Sequence, residues 1–275
     1  MERKIVLTER NHNKDDINLH KSSTAYNRGV VDIIDETTNE IIFQARNKVI
    51  LPGAAFTARK HFNLGVQEVT PSYNEVLELD GTVTETAPSE EAEKVLLFSV
   101  GVDGGGREPS QVYPVNYGKW TAIKDLVPFR YVPLTEDLGD ELRDSYFGRK
   151  TYDAKNRIAY YFKAFDIEPT FHQQYIDGTP IDRNIYESEK TEEIETYVEL
   201  VLKITKEDCR EFFRATSSPN DARINSIQLL TAWVKTGEDG KTYYQDIRPL
   251  TKLHFPLESL IDITKSIKII YHLYY

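Results

Sequence analysis

The sequence has a single cysteine, no long apolar run and no basic cluster, and each of these absences removes a class of protein. Cys209 is the only cysteine among 275 residues, so the chain can form no internal disulfide and no cysteine-based zinc site. No stretch approaches the roughly 18 consecutive apolar residues of a membrane-spanning helix. The apolar run near the N-terminus, residues 5–7, is too short for a signal peptide. We therefore expect a protein made in a cytoplasm, with no membrane partner.

Positive charge is also scarce. Lys and Arg number 34 against 44 Asp and Glu, which gives a formal net charge of −10. No Lys/Arg cluster is longer than a pair, whereas proteins that bind DNA or RNA neutralise phosphates with a basic surface. We expect no nucleic-acid partner, and the acidic balance favours solubility before assembly.

Catalytic and cofactor motifs are missing as well. The six histidines show no i,i+4 pair and no spacing typical of metal ligands. The glycine-rich residues 101–106 lack the Lys-Ser/Thr of a P-loop and the G-x-G-x-x-G spacing, so they predict a flexible or tight turn. The chain has no G-x-S-x-G elbow, and its acidic runs are typical of solvated loops. We predict a non-enzymatic protein without cofactor or metal, although an acidic hydrolase with two facing carboxylates stays open as a third hypothesis.

Aromatic and β-branched residues are plentiful, with 17 Tyr and 12 Phe, and this composition favours strands. Alternating or continuous apolar patterns predict strands at residues 29–35, 40–46, 94–100, 157–166, 196–204, 223–234 and 242–244, and at the C-terminus. Short helices are predicted at residues 54–62, from Thr135 as N-cap, and after a capping box formed by Thr205 and Asp208. Strands separated by turn signals predict a mainly β fold with a few short helices and a β-sandwich or jelly-roll-like body.

The domain organisation follows from composition. Residues 1–23 are predicted to form an N-terminal arm, and residues 24–275 a single β-rich domain with an acidic and proline-rich excursion at about 67–133. Within the excursion, residues 109–133 are predicted to lie extended across a surface.

Tyrosine and tryptophan mark the candidate contact sites. The final strand places Ile267, Ile269, Tyr271, Leu273 and Tyr275 on one face, and an end of this kind is expected to be held in a sheet or interface. Large amphipathic aromatic residues are favoured at protein interfaces, and they also form carbohydrate platforms. The candidate interface residues are Tyr113, Tyr117, Trp120, Tyr271, Tyr274 and Tyr275.

Two stretches resemble the structural proteins of tailed-bacteriophage particles, of the tail, baseplate and neck type. In residues 30–62, a strand pair leads through residues 47–53 into a small-residue helix, similar to their strand, Asn-Leu-Val-Val-x-x-Gly, helix opening. Residues 223–230 resemble their I-x-E-x-G-L strand, with Ser226 and Gln228 in place of Glu and Gly. Residues 250–256, 262–265 and the closing strand are similar to their usual ending.

This resemblance implies a virion building block with a β-sandwich body that assembles into a ring or hub. Its partners would be other virion proteins and copies of itself. A second hypothesis, a carbohydrate- or host-receptor-binding module of the particle, stays open because aromatic residues 113, 117 and 120 suit either role.

Overall fold

The computed structural model describes residues 28–49, 75–77, 79–85, 94–106, 108, 111–116, 118–151, 157–175, 177–180, 194–216, 223–259 and 266–274. Its strands are β1 Arg28–Asp35, β2 Ile41–Val49, β3 Glu75–Leu77, β4 Val83–Glu85, β5 Lys94–Gly101, β6 Leu126–Val127, β7 Arg130–Pro133, β8 Tyr146–Thr151, β9 Arg157–Ala164, β10 Thr170–Tyr175, β11 Ile194–Ile204, β12 Arg223–Thr236, β13 Thr242–Ser259 and β14 Ile267–Tyr274. The described α-helices are α1 Asp140–Arg143 and α2 Arg210–Thr216, and a 3-10 turn spans Ile123–Asp125. The predicted arm and the predicted helix at 54–62 lie outside the described residues.

Most strands belong to one antiparallel sheet of 12 strands, in the order β10-β11-β14-β1-β2-β13-β12-β5-β9-β7, with β6 on β5 and β8 on β9. Strands β3 and β4 form a separate two-stranded sheet. The prediction of a mainly β, sandwich-like fold with short helices is confirmed. In the part of the chain that the structure describes, no helix has the length and apolar character needed to cross a membrane.

The large sheet folds over so that its two halves face each other. The hydroxyl groups of Thr251 on β13 and Tyr271 on β14 are 2.6 Å apart, although β1 and β2 separate these strands in the sheet. In a flat sheet, three strand spacings would put them about 14 Å apart. Lys163 of β9 likewise donates to the carbonyl of Lys203 on β11 at 2.8 Å. The hydrophobic core fills the space between the two halves.

Strand β14 confirms the predicted alternation. Ile267, Ile269, Tyr271 and Leu273 are buried, whereas the intervening side chains from Lys268 onward are only partly buried. The strand pairs with β1 on one side and β11 on the other. The strand therefore lies inside the sheet and not at its edge: one face is apolar and buried, and both of its backbone edges are hydrogen-bonded.

Strand β13 is longer than predicted. Residues 242–244 and 250–256, which appeared as separate segments in the sequence, belong to one strand. Pro249 lies opposite Leu230, where the register with β12 shifts, and Asp246 has a φ of 52°. A β-bulge tolerates the missing N–H of proline, so β13 continues through Pro249, although proline usually ends a strand.

The predicted helix start at Thr135 is wrong. Residues 134–135 form a turn, and α1 begins after Gly139. The nearby Asp137 carboxylate accepts hydrogen bonds from Arg143 and from the hydroxyl of Tyr160 on β9. These tertiary bonds hold residue 137 against the sheet and override the local helical preference.

The stretch at 67–133 contributes more to the core than its composition indicates. Hairpin β3–β4 forms a separate sheet that contacts β8 of the main sheet, and residues 111–114 are exposed. Strands β5, β6 and β7, however, are part of the main sheet, and Leu126, Val127, Phe129 and Tyr131 are buried. The prediction that 109–133 lies across a surface is therefore wrong for residues 126–131, because their apolar side chains complete the core.

Candidate functional site

The glycine-rich loop after β5 is packed tightly against β12. The backbone N–H of Gly104 donates to the side-chain oxygen of Asn225 at 2.7 Å. A Cβ atom at Gly104 would lie 1.9 Å from the carbonyl oxygen of Asn225, and one at Gly105 would lie 2.1 Å from that of Gln111. Only glycine allows this approach, so the residues predicted to form a flexible or tight turn are packed closely against β12.

Asp103 in this loop organises a buried polar network. Its carboxylate accepts hydrogen bonds from the ammonium of Lys252 at 2.6 Å and from the hydroxyl of Ser226 at 2.7 Å. The hydroxyl of Thr121 donates to the same carboxylate at 3.1 Å. Burial raises the pKa of Asp103, but the bonds from Lys252 and Ser226 outweigh burial and hold the pKa below its ordinary value. The carboxylate is thus a stable anion that ties the loop to β12 and β13.

A second set of bonds fixes the residues that follow the loop, 111–116 and 118–120, which we call the aromatic segment. The N–H of Tyr113 donates to the carbonyl of Gly104 at 2.9 Å. Nδ1 of His254 lies 2.8 Å from the carbonyl oxygen of Tyr113 and donates to it, because a carbonyl can only accept. The far end is held by the N–H of Thr121, which donates to the side chain of Gln228 at 2.8 Å. The segment is therefore docked on the sandwich at both ends.

The docked segment presents apolar side chains to solvent. Tyr113 is 47% exposed and Trp120 39%, and they are joined by Val112 at 36% and Val102 at 43%. Both Tyr113 and Trp120 were predicted contact residues, whereas Tyr117 lies outside the described residues. We call Val102, Val112, Tyr113 and Trp120 the apolar patch.

Tyr271, another predicted contact residue, is not part of this surface. Tyr271 is 1% exposed, and its hydroxyl is hydrogen-bonded to Thr251 within the core. A partner could not reach it without opening the sandwich. The backbone of Tyr274 pairs with β1 and β11, but its side chain and Tyr275 lie outside the described residues.

Sequence reasoning missed the residues that anchor the segment. Asp103, Ser226, Lys252 and His254 come from three separate parts of the chain, and Asp103 and Lys252 are 149 positions apart. One signal was available: polar residues 225, 226 and 228 interrupt the apolar stretch 224–230 of β12, and all three are buried. Buried polar side chains in a strand require partners, so their presence indicates a docked element.

The polar network around Asp103 positions the backbone that carries the apolar patch. Ser226 is fully buried, so a substrate could not reach its hydroxyl, and the Asp103 carboxylate that accepts its hydrogen bond is a weak base because Lys252 and Ser226 hold its pKa below the ordinary value. Cys209 is also buried, as predicted, and burial raises the pKa of its thiol well above the ordinary value. Over the ranges that the structure describes, no group of three or more His, Cys, Asp or Glu residues is arranged to hold a metal ion.

What the arrangement does is hold exposed aromatic and aliphatic side chains on a rigid backbone. Protein-family models, curated proteins and solved structures were all compared with the chain, and none matches it.

Proposed function

We propose that the chain is a non-enzymatic subunit of a larger assembly and that its apolar patch contacts a neighbouring protein. The observation that carries this proposal is the concentration of exposed hydrophobic residues. Nine large hydrophobic residues are exposed among those described, and four of them form the apolar patch beside one loop. Single exposed hydrophobics are common on soluble proteins, but a local concentration is typical of an interaction site.

The anchoring of the patch supports the same proposal. The loop and the aromatic segment are tied to β12 and β13 through Asp103, His254 and Gln228. Binding costs less conformational entropy when the contacting backbone is already ordered. A rigid display of Tyr and Trp therefore suits a protein interface, where these residues supply much of the binding energy.

The resemblance to tailed-phage structural proteins makes the proposal more specific. On this proposal the chain is part of a virion, in the tail, baseplate or neck, and its partners are other virion proteins and copies of itself. The sandwich-like body agrees with the fold that the resemblance implies.

The direct test is immunogold electron microscopy on particles from the source culture, with antibody raised against the purified chain. Gold at a defined position on the particles would support the proposal and locate the subunit. If purified particles carry no gold while the protein is abundant in the lysate, the virion proposal is wrong.

The apolar patch is tested by the double substitution Tyr113→Ala and Trp120→Ala. If each ring is an interface hot spot, we expect each substitution to weaken assembly by about 2 kcal/mol or more, so that incorporation into particles falls sharply. Folding should be retained, because both side chains are exposed. Incorporation is measured by quantitative immunoblotting of purified particles after complementation with the variant.

The matched control is Val234→Ala together with Ile167→Ala, since these residues are similarly exposed, at 40% and 41%, but lie away from the patch. The control should be incorporated normally. Normal incorporation of the Tyr113/Trp120 variant would contradict the patch as an assembly interface. Loss of glycan binding in that variant, with assembly intact, would instead favour the carbohydrate-binding hypothesis.

A further inference from the structure

The bond between His254 and Tyr113 has an unusual consequence for the imidazole ring. Because Nδ1 carries the proton that is donated to the Tyr113 carbonyl, Nε2 of the neutral ring is an acceptor. Nε2 is buried and has no hydrogen-bond partner among the residues that the structure describes. Protonation would create a buried N–H donor with no acceptor, in a residue that is only 8% exposed.

The charges around His254 come from each element packed against it. Lys252, two positions earlier on β13, brings an ammonium group, and Asp103 in the loop after β5 brings a carboxylate that is already bonded to Lys252. From β12, the residue opposite His254 is Ser226, which carries no charge. From β2, the backbone of Lys48 pairs with that of Lys252.

Burial lowers the pKa of His254 below its ordinary value of 6.5, and Lys252 acts in the same direction. The bond to Tyr113 and the charge of Asp103 oppose this change without cancelling it. A ring of this kind is neutral at pH 7, and the docked arrangement is fully stable above the unperturbed pKa. Its stability is lost progressively as the pH falls below 6.5, because a released ring takes up the proton more readily.

We propose that His254 is a proton-sensitive latch, which holds the aromatic segment on β13 while the ring is neutral and releases the segment when the ring is protonated. Release gives Nε2 access to water and breaks the contact beneath Tyr113. The bond between the N–H of Lys119 and the carbonyl of Asn116, 3.1 Å long, then transmits the change toward Trp120. The apolar patch would thus be ordered at neutral pH and disordered in acid.

The chain contains two tryptophans, Trp120 beside the latch and Trp233 in β12, so each can report on one region. The intact protein is labelled with 5-fluorotryptophan, the two 19F resonances are assigned with Trp120→Phe, and both are followed from about pH 7.5 to about pH 5. We expect the Trp120 resonance to shift with a midpoint below 6.5 while the Trp233 resonance stays in place. The latch is wrong if neither resonance moves, or if both move together as in global unfolding.

Two variants make the result specific. His254→Asn places a side-chain N–H near the position of Nδ1 and cannot be protonated, so the shift of Trp120 should disappear. The control is His272→Asn, which removes a half-buried histidine on β14 that is bonded to Glu199. This control should retain the full shift, and an unchanged titration in the His254→Asn variant would overturn the proposal. The test uses the isolated chain, so its outcome does not depend on whether the patch binds a partner.

Discussion

Replacing Asp208 with alanine is expected to lower the free energy of unfolding by about 3–5 kcal/mol, the usual cost of breaking a buried ion pair by removing one partner. The Asp208 side chain is completely buried and pairs with the ammonium of Lys163 at 3.1 Å. It also accepts hydrogen bonds from the hydroxyl of Tyr146 at 2.7 Å and from the N–H of Thr205 at 2.8 Å. Alanine would remove the acceptor of the Tyr146 hydroxyl and the Thr205 N–H, and it would leave the Lys163 ammonium with the Lys203 carbonyl and the more exposed Asp166 carboxylate.

The position of this cluster adds to its effect. Lys163 lies on β9, whereas Asp208 follows β11, and these strands are near opposite ends of the sheet order. The cluster therefore joins the two halves of the folded sheet. We expect the substitution to reduce the cooperativity of unfolding as well as the stability, because one half can then separate before the other.

Urea denaturation followed by far-UV circular dichroism measures both quantities. The control is Arg214→Ala, which removes an exposed ion pair with Glu211 on α2 and should cost about 0.5 kcal/mol or less. A loss below about 1 kcal/mol for Asp208→Ala would show that the cluster does not hold the halves together. Replacing Lys163 and Asp208 together by Met and Leu should be less damaging than Asp208→Ala, because the buried ammonium is removed together with the carboxylate that it pairs with.

Local patterns were sufficient to predict most strands. The alternation in β14 and the continuous apolar run in β5 depend only on neighbouring residues, so a single sequence contains the information. The capping pattern of Thr205 and Asp208 was also read correctly in part: the Asp208 carboxylate does accept from the N–H of Thr205, although α2 begins only at Arg210.

Long-range contacts decided the rest. Thr135 was a reasonable N-cap by composition, but the bonds of Asp137 to residues on other elements determined the local conformation. Tyr271 was predicted as a contact residue because it is aromatic, yet the folding of the sheet buries it against Thr251. Neither outcome is encoded in the residues nearby, because each depends on which strands become neighbours.

The candidate site divides in the same way. The exposed Tyr113 and Trp120 could be selected from the sequence because aromatic residues in a proline-rich segment stand out by type. The network that fixes these two residues could not be predicted from the sequence. The pairing of Asp103 with Lys252 can be predicted only when the order of β5, β12 and β13 in the sheet is known. The side chains that contact a partner are thus easier to predict than the side chains that position them.

The positioning network is tested most severely by Gly104→Ala. The new Cβ would lie 1.9 Å from the carbonyl oxygen of Asn225, a backbone atom of β12, and the next residue of that strand, Ser226, is paired with β5 and β13. The loop must therefore move away, which breaks the Gly104–Asn225 bond and the bond from Tyr113 to Gly104. We expect a loss of about 1–3 kcal/mol in urea denaturation, the usual cost of overpacking.

Undocking should also expose the aromatic segment to proteases at neutral pH, where the wild-type segment is held. Gly118→Ala is the matched control, because the contact that a Cβ there makes with the described residues is an ordinary one of 3.5 Å, to the Asn116 side chain. It should leave stability within about 0.5 kcal/mol of wild type and the cleavage rate unchanged. If Gly104→Ala lowers stability without faster cleavage, the loop and the segment are not coupled. If both change, the glycine-rich loop is the support on which the exposed patch depends.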